Sequence, residues 1–193
     1  MTLRSIVLGL LLASASASFA ALQAGDAAPV FSAPASLAGK PFIYSPKEGL
    51  AKGPVVVYFY PSAYTQGCNI QAHEFSTKAD QFAAAGATVI GVSLDSIERL
   101  NAFSADPDYC AGKLAVASDQ DGRIARAFGL RVSEMRRGIT DTRGHEIDHG
   151  FTERTTFVIK RDGTIVAVVG GVSPDANVAR ALELVRKLSA TAP

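Results

Sequence analysis

Two thiols stand in this sequence, Cys68 and Cys110, and the residues before the first give it the means to react. Val55, Val56, Val57, Tyr58 and Phe59 form an unbroken run of β-formers, the pattern of a strand buried on both faces, and Pro61 forbids its continuation. Beyond a short turn, Ala72, Phe75, Ala79 and Phe82 recur at helical steps, so one helix is expected here, with Gly67, Cys68 and Asn69 in its first turn. A cysteine at that position meets unpaired backbone N–H groups and the positive end of the helix dipole. Both favour the thiolate, the nucleophilic form of sulfur. Thr65, three residues earlier, can aim a hydroxyl at the same spot. The bland alternative is an inert, buried cysteine, since free cysteine is among the most buried residue types.

The elements that must position Cys68 follow from the rest of the chain. Residues 21 to 53 are dense in Gly and Pro and read as short edge strands and turns without a long helix. After a stop at Gly86, Ala87 to Val92 reads as a second buried strand, and strand, helix, strand in this order implies a parallel pair with a right-handed crossover. Asp95 or Ser96 caps a helix bearing Ile97, Leu100 and Phe103 that ends before Pro107. A short strand from Leu114 to Ala117 and a helix with Ile124, Ala127 and Phe128 come next. Gly129 to Glu153 is polar and aperiodic, the mark of a long exposed loop with at most a short strand. Arg154 to Ile159 and Thr164 to Gly170 flank Asp162-Gly163 as a hairpin. Ser173 and Pro174 open a last helix, with Val178, Ala181, Leu182, Val185 and Leu188 on one face to cover the sheet. The repeated alternation of strand and helix points to an α/β class.

Composition narrows the partners. With 19 basic and 18 acidic residues, net charge +1, the chain offers no electrostatic footprint for nucleic acid or an anionic membrane, and 48% hydrophobic residues exclude a disordered class. Arg4, the apolar run Ile6 to Ala13 and the small-x-small triplet Ser18-Phe19-Ala20 read as a secretory signal peptide over residues 1–20, cut before Ala21, with Ala17 as a second possible edge. The apolar run is far shorter than the about 20 residues a spanning helix needs, so no membrane association is expected after cleavage. Residues 21–193 then make a single exported domain, periplasmic or secreted. In an oxidising compartment its two cysteines either pair, Cys68 with Cys110, or stay unpaired within the chain.

Pro61, Thr65 and Cys68 fit P-x-x-x-T-x-x-C, and in this the sequence resembles the peroxiredoxins, thiol peroxidases on a thioredoxin-like fold. Cys68-Asn69-Ile70-Gln71-Ala72 resembles the segment after the peroxidatic cysteine in the Q-type, or bacterioferritin comigratory, subgroup. AGDAAPVFSAP resembles the family's opening, and Arg154 in ERTTFVIKRDG its active-site arginine. The resemblance spans about residues 22 to 188. It implies a central mixed β-sheet flanked by helices and reduction of hydrogen peroxide or organic hydroperoxides. In that reading Cys68 is the nucleophile, Arg154 supports the thiolate and the peroxide oxygens, Thr65 holds the peroxide and Pro61 shields the sulfur. No cofactor or metal is implied; recycling falls to a thioredoxin-like or small-thiol reductant, on a monomer or homodimer. Many Q-type members carry a resolving cysteine five residues after the first, where this chain has His73, so the resemblance implies Cys110 for that role. The stretch from Gly129 to Glu153 is longer than its family counterpart.

Three rival readings compete. His145-Glu146-Ile147-Asp148-His149 fits H-E-x-x-H, which binds zinc only from a helix, and Gly144 and Gly150 with no apolar stripe argue against one. A copper carrier or disulfide exchanger needs C-x-x-C or C-x-x-x-C spacing, absent here, although His73 with Cys68 can offer a weak metal pair. A redox or metal-binding domain without turnover leaves Cys68 and Cys110 in a static disulfide, worth roughly 4 kcal/mol for a loop of this length.

Overall fold

The computed structural model describes residues 21–190; the signal-peptide reading of residues 1–20 lies outside them. In chain order the elements are β1 (Ala33–Leu37), β2 (Lys40–Tyr44), α1 (Pro46–Lys52), β3 (Val55–Phe59), α2 (Gln66–Thr77), α3 (Ala79–Ala84) and β4 (Thr88–Ser93). Then follow α4 (Ile97–Ala105), β5 (Ala115–Ser118), α5 (Arg123–Ala127), β6 (Thr155–Ile159), β7 (Ile165–Gly170) and α6 (Pro174–Ala190). One seven-stranded mixed sheet runs β2-β1-β5-β4-β3-β6-β7, with β3, β4 and β5 parallel and the other pairings antiparallel.

The continuous apolar run of β3 is explained by its central place, since all five residues are buried and both faces are covered. Alternation divides them. Val56 and Tyr58 face one core with Phe75, Phe82, Phe103 and Val178, while Val55, Val57 and Phe59 face the other with Ile90, Phe128 and Phe157. Tyr58 stacks on Phe75 at 4.4 Å between ring centroids, which fastens α2 to the sheet. Both cysteines belong to the first core, beneath α2, α4 and α6.

Two expectations need correction. The stripe from Ala72 to Phe82 is carried by two helices, because the backbone leaves helical geometry at Lys78 (φ −101°, ψ 6°). Just before the break, the hydroxyls of Ser76 and Thr77 hydrogen-bond back to the carbonyls of the preceding turn, competing with the helix's own ladder. The long loop of residues 129–153 is not simply exposed: Leu130, Asp141, Ile147 and Thr152 are buried, and in place of a short strand it holds two isolated bridges, Val132 with Thr152 and Thr140 with Glu146. The H-E-x-x-H segment is non-helical, with Glu146 in one of those bridges.

Candidate active site

β3 ends at Phe59, and the turn through Pro61 and Thr65 delivers the chain to α2, whose third residue is Cys68. Across the sheet, Phe59 pairs with Thr155, so Arg154 enters from just beyond the same end of β6. Its Nη2 donates to Cys68 Sγ at 3.4 Å. Gly67 permits this approach, since a Cβ there would lie 3.0 Å from Nη2.

The guanidinium is itself held from below. Arg154 Nη1 donates to Gln71 Oε1, Gln71 Nε2 donates to Asn177 Oδ1 at 3.0 Å, and Asn177 Nδ2 donates to the Val169 carbonyl at 2.9 Å. Thr156 Oγ1 adds a 2.6 Å bond to Asn177 Oδ1. Gln71, Thr156 and Asn177 have no exposed surface, so the chain of bonds is screened from water and anchored in β6, β7 and α6. Sequence reasoning missed Gln71 and Asn177. The available signal was a polar residue inside an apolar helical stripe, and Gln71 stands one turn after Cys68.

The turn before Cys68 is fixed from a second side. Asp95 is completely buried and accepts from Ser62 Oγ (2.8 Å), Ala63 N (2.8 Å), Ser93 Oγ (2.7 Å) and His149 Nε2 (2.9 Å), with Arg99 Nε in an ion pair at 2.9 Å. Burial pushes the Asp95 carboxyl up, but the hydrogen bond and charge of His149, with the Ser93 and Ala63 donors, outweigh it and hold the group below its usual value. His149 mirrors it: burial disfavours its charge, yet the Asp95 hydrogen bond and charge raise its pKa. Of the two expected helix caps, Asp95 and Ser96, the cap is Ser96, whose hydroxyl accepts from Arg99 N, which frees Asp95 for this anchoring. Arg99 also reaches the Ala63 carbonyl and Asp141, and Thr142 donates from both N and Oγ1 to the Tyr64 carbonyl. The Arg143 guanidinium lies 3.1 Å above the Tyr64 ring. These contacts sustain Tyr64 in a left-handed conformation (φ 62°), which costs a non-glycine residue about 1–2 kcal/mol.

Of the five residues singled out by sequence, Pro61, Thr65, Cys68 and Arg154 gather at this corner. The Thr65 hydroxyl donates to the Ser62 carbonyl at 2.8 Å, so its oxygen faces any ligand as an acceptor. Cys110 lies beyond the end of α4, wholly buried. Burial, with the nearby Asp106 carboxylate, raises its thiol pKa. Both cysteines are free thiols, so the described structure does not contain the static disulfide of the rival reading. His73 is turned to the Asp108 carbonyl, 2.9 Å from Nδ1. Among the described residues no cluster of three or more His, Cys, Asp or Glu could hold a metal ion. Cys68 is 2% exposed, and a cleft of about 700 Å³ bordered by Arg126, Arg131, Arg136 and Phe151 is not lined by Cys68, Thr65 or Arg154.

Residues 24–168 match the AhpC/TSA family. The chain is 33% identical to peroxiredoxin Bcp of Escherichia coli over 144 residues, covering 75% of this chain and 83% of that protein. A crystal structure of peroxidoxin BcpB from Mycobacterium tuberculosis superposes with a TM-score of 0.71 at 28% identity, covering 86% of this chain and 98% of the other. A Xanthomonas campestris bacterioferritin comigratory protein, described for its alkyl peroxide reduction activity, aligns with a TM-score of 0.63 at 26% identity over 81% of this chain and 91% of its own. The chain belongs to the AhpC/TSA family, and its mixed sheet with flanking helices is the thioredoxin-like fold of these peroxiredoxins.

Proposed function

We propose, with membership of the AhpC/TSA family as the premise, that this protein is a thiol-dependent peroxidase whose nucleophile is Cys68. The observation that carries the assignment is the Arg154 guanidinium, 3.4 Å from Cys68 Sγ and braced by Gln71. The Cys68 thiolate attacks one oxygen of the hydroperoxide as the O–O bond breaks. Sulfur is oxidised to a sulfenic acid, and the departing oxygen leaves as hydroxide or alkoxide and takes a proton to become water or an alcohol. Arg154, charged throughout, stabilises the thiolate before the step and the departing oxygen during it. The Thr65 oxygen accepts the peroxide O–H, and Pro61 limits water at the sulfur.

The Cys110 thiol then attacks the sulfenic sulfur, forming the Cys68–Cys110 disulfide and releasing water. A dithiol of the thioredoxin class, or a small thiol, restores both cysteines. Residues 1–20 act as the export signal of this enzyme, supported by Arg4, the Ile6 to Ala13 run and Ser18-Phe19-Ala20; a secreted product beginning at Ala21 in intact-mass analysis is the expected result. Peroxide consumption with a dithiol donor tests the central assignment. Cys68→Ser should fall to the background rate, and peptide mapping of wild type after one equivalent of peroxide should yield the linked Cys68 and Cys110 peptides. Turnover surviving in Cys68→Ser would refute the reading.

A further inference from the structure

The cleft of about 700 Å³ that Arg126, Arg131 and Arg136 border lies apart from Cys68: Leu130 and Val132 in its wall pack with the second core, whereas Cys68 belongs to the first. Its size is that of a small-ligand site, which ordinarily ranges over about 300–1,000 Å³. Two segments drawn together build the wall. Val132 bridges Thr152, Ser133 N donates to the Phe151 carbonyl at 2.8 Å, and Phe151 N donates to Ser133 Oγ at 2.9 Å. Gly150 admits this approach, because a Cβ there would strike the Ser133 carbonyl oxygen. Leu130, Val132 and Phe151 thereby offer an apolar surface on which the body of a ligand can rest.

Charge around the cleft is one-sided. Glu153 is the one carboxylate among the lining residues, and it is paired to Arg131. Arg126 donates to the Asp121 carbonyl, a neutral acceptor, and neither Arg126 nor Arg136 meets a carboxylate among the described residues. A Cβ at Gly122 would lie 3.1 Å from Arg126 Nη1 and equally close to the Val132 methyls, so this guanidinium stands beside the apolar wall. A further observation is independent of charge. Thr152, 2% exposed, also lines the cleft, and its hydroxyl has no hydrogen-bond partner among the described residues. An unpaired buried hydroxyl costs stability, and a ligand oxygen that bonds it recovers the loss.

We propose that this cleft binds a small organic carboxylate, its apolar body against Leu130, Val132 and Phe151, its carboxylate held by Arg126 and Arg136, with the Thr152 hydroxyl donating to a ligand oxygen. Guanidinium forks match a planar carboxylate, the apolar wall discriminates against inorganic anions, and a neutral analogue forfeits the charge-assisted bonds. No step of peroxide reduction passes through this site, so it stands whether or not Cys68 is the nucleophile.

Calorimetric titration of the reduced full chain with 2-naphthoate tests the site, alongside 2-naphthamide, which keeps the body and loses the charge, and acetate, which keeps the charge and loses the body. Naphthoate should bind saturably, about tenfold or more tighter than either control. Arg126→Gln and Arg136→Gln should each weaken it by about three- to tenfold and leave peroxide consumption unchanged. Thr152→Val should weaken it about fivefold, the net worth of one hydrogen bond, and raise the thermal unfolding midpoint of the ligand-free protein, since valine removes the unpaired hydroxyl at nearly constant shape. Amide chemical-shift changes on adding naphthoate should cluster in residues 126–136 and 150–153. Shifts centred instead on residues 61–71, equal binding of naphthamide, an affinity that neither arginine variant alters, or no saturable binding of naphthoate would each overturn the proposal.

Discussion

Cys68 and Cys110 have almost the same exposure, 2% and 0%, and share one hydrophobic core, yet the polar groups around them are arranged in opposite ways. At Cys68 a donor points at the sulfur, and the residues behind that donor are buried and fully paired down to the sheet. At Cys110 the nearby hydrogen bonds go to backbone carbonyls of adjoining residues, and the neighbouring charge is the Asp106 carboxylate, which opposes a thiolate. Exposure alone does not distinguish these two thiols. What separates them is whether the protein's dipoles converge on the sulfur or on the backbone that carries it.

The most forceful way to break the contrast is to remove the buried anchor under the Cys68 turn. Asp95→Ala leaves the Arg99 and His149 groups facing a void, and urea unfolding should register a loss of roughly 3 kcal/mol or more, the usual result of breaking a buried charge network. Next in size is Arg154→Lys. Arg154 reaches Gln71 from Nη1 and Cys68 from Nη2, a planar two-nitrogen span that a single ammonium does not reproduce, and the rate of peroxide reduction, followed by competition kinetics, should drop about a hundredfold, or ~2.7 kcal/mol, with the fold intact. An unaltered rate would mean that charge suffices at this corner without the planar fork.

The smallest effect sharpens the comparison through pH. The His149 pKa is raised in the folded protein, so its contribution to stability is complete below the unfolded value of 6.5 and disappears as pH climbs through the higher folded value. Asp95, lowered from 3.8, stays ionised across that window and adds no slope there. Urea titrations from about pH 6 to about pH 9 should show wild type losing its advantage over His149→Asn, whose own dependence lacks this term. Parallel curves for the two proteins would show that the pair titrates alike in folded and unfolded chains.

Much of this arrangement was legible in the sequence where one physical rule dominated. β3 was readable because a central strand has no polar face, and the β6–β7 hairpin because Asp162-Gly163 admits the left-handed Gly163 (φ 85°). Cys68 and Thr65 are singled out by spacing, and Pro61 and Arg154 by the family resemblance; the structure brings Arg154 to Cys68. What escaped were polar residues whose burial depends on distant partners. Asp141 reads as loop surface until Arg99 and Arg143 are placed against it, and Gln71 and Asn177 read as blemishes in apolar stripes until they are seen to bond each other. The division of α2 from α3 was hidden for a local reason, since an apolar stripe at helical steps continues through a one-residue break.

Arg154 reaches Cys68 only because β6 lies against β3 with Thr155 opposite Phe59, and the two site residues are separated by 86 positions in the chain. A slip of one residue in that pairing would turn Arg154 to the opposite face of the sheet. Pairing over such a separation carries a large loop-closure cost and belongs to the slower events of folding. Until it is complete, Cys68 has no guanidinium beside it and behaves as any cysteine of an unfolded chain, free to join Cys110 before either has found its seat. On the proposed reading of Cys68 as the nucleophile, the speed with which it consumes peroxide is therefore also a clock on the molecule's own maturation: it starts when β6 has settled into register against β3.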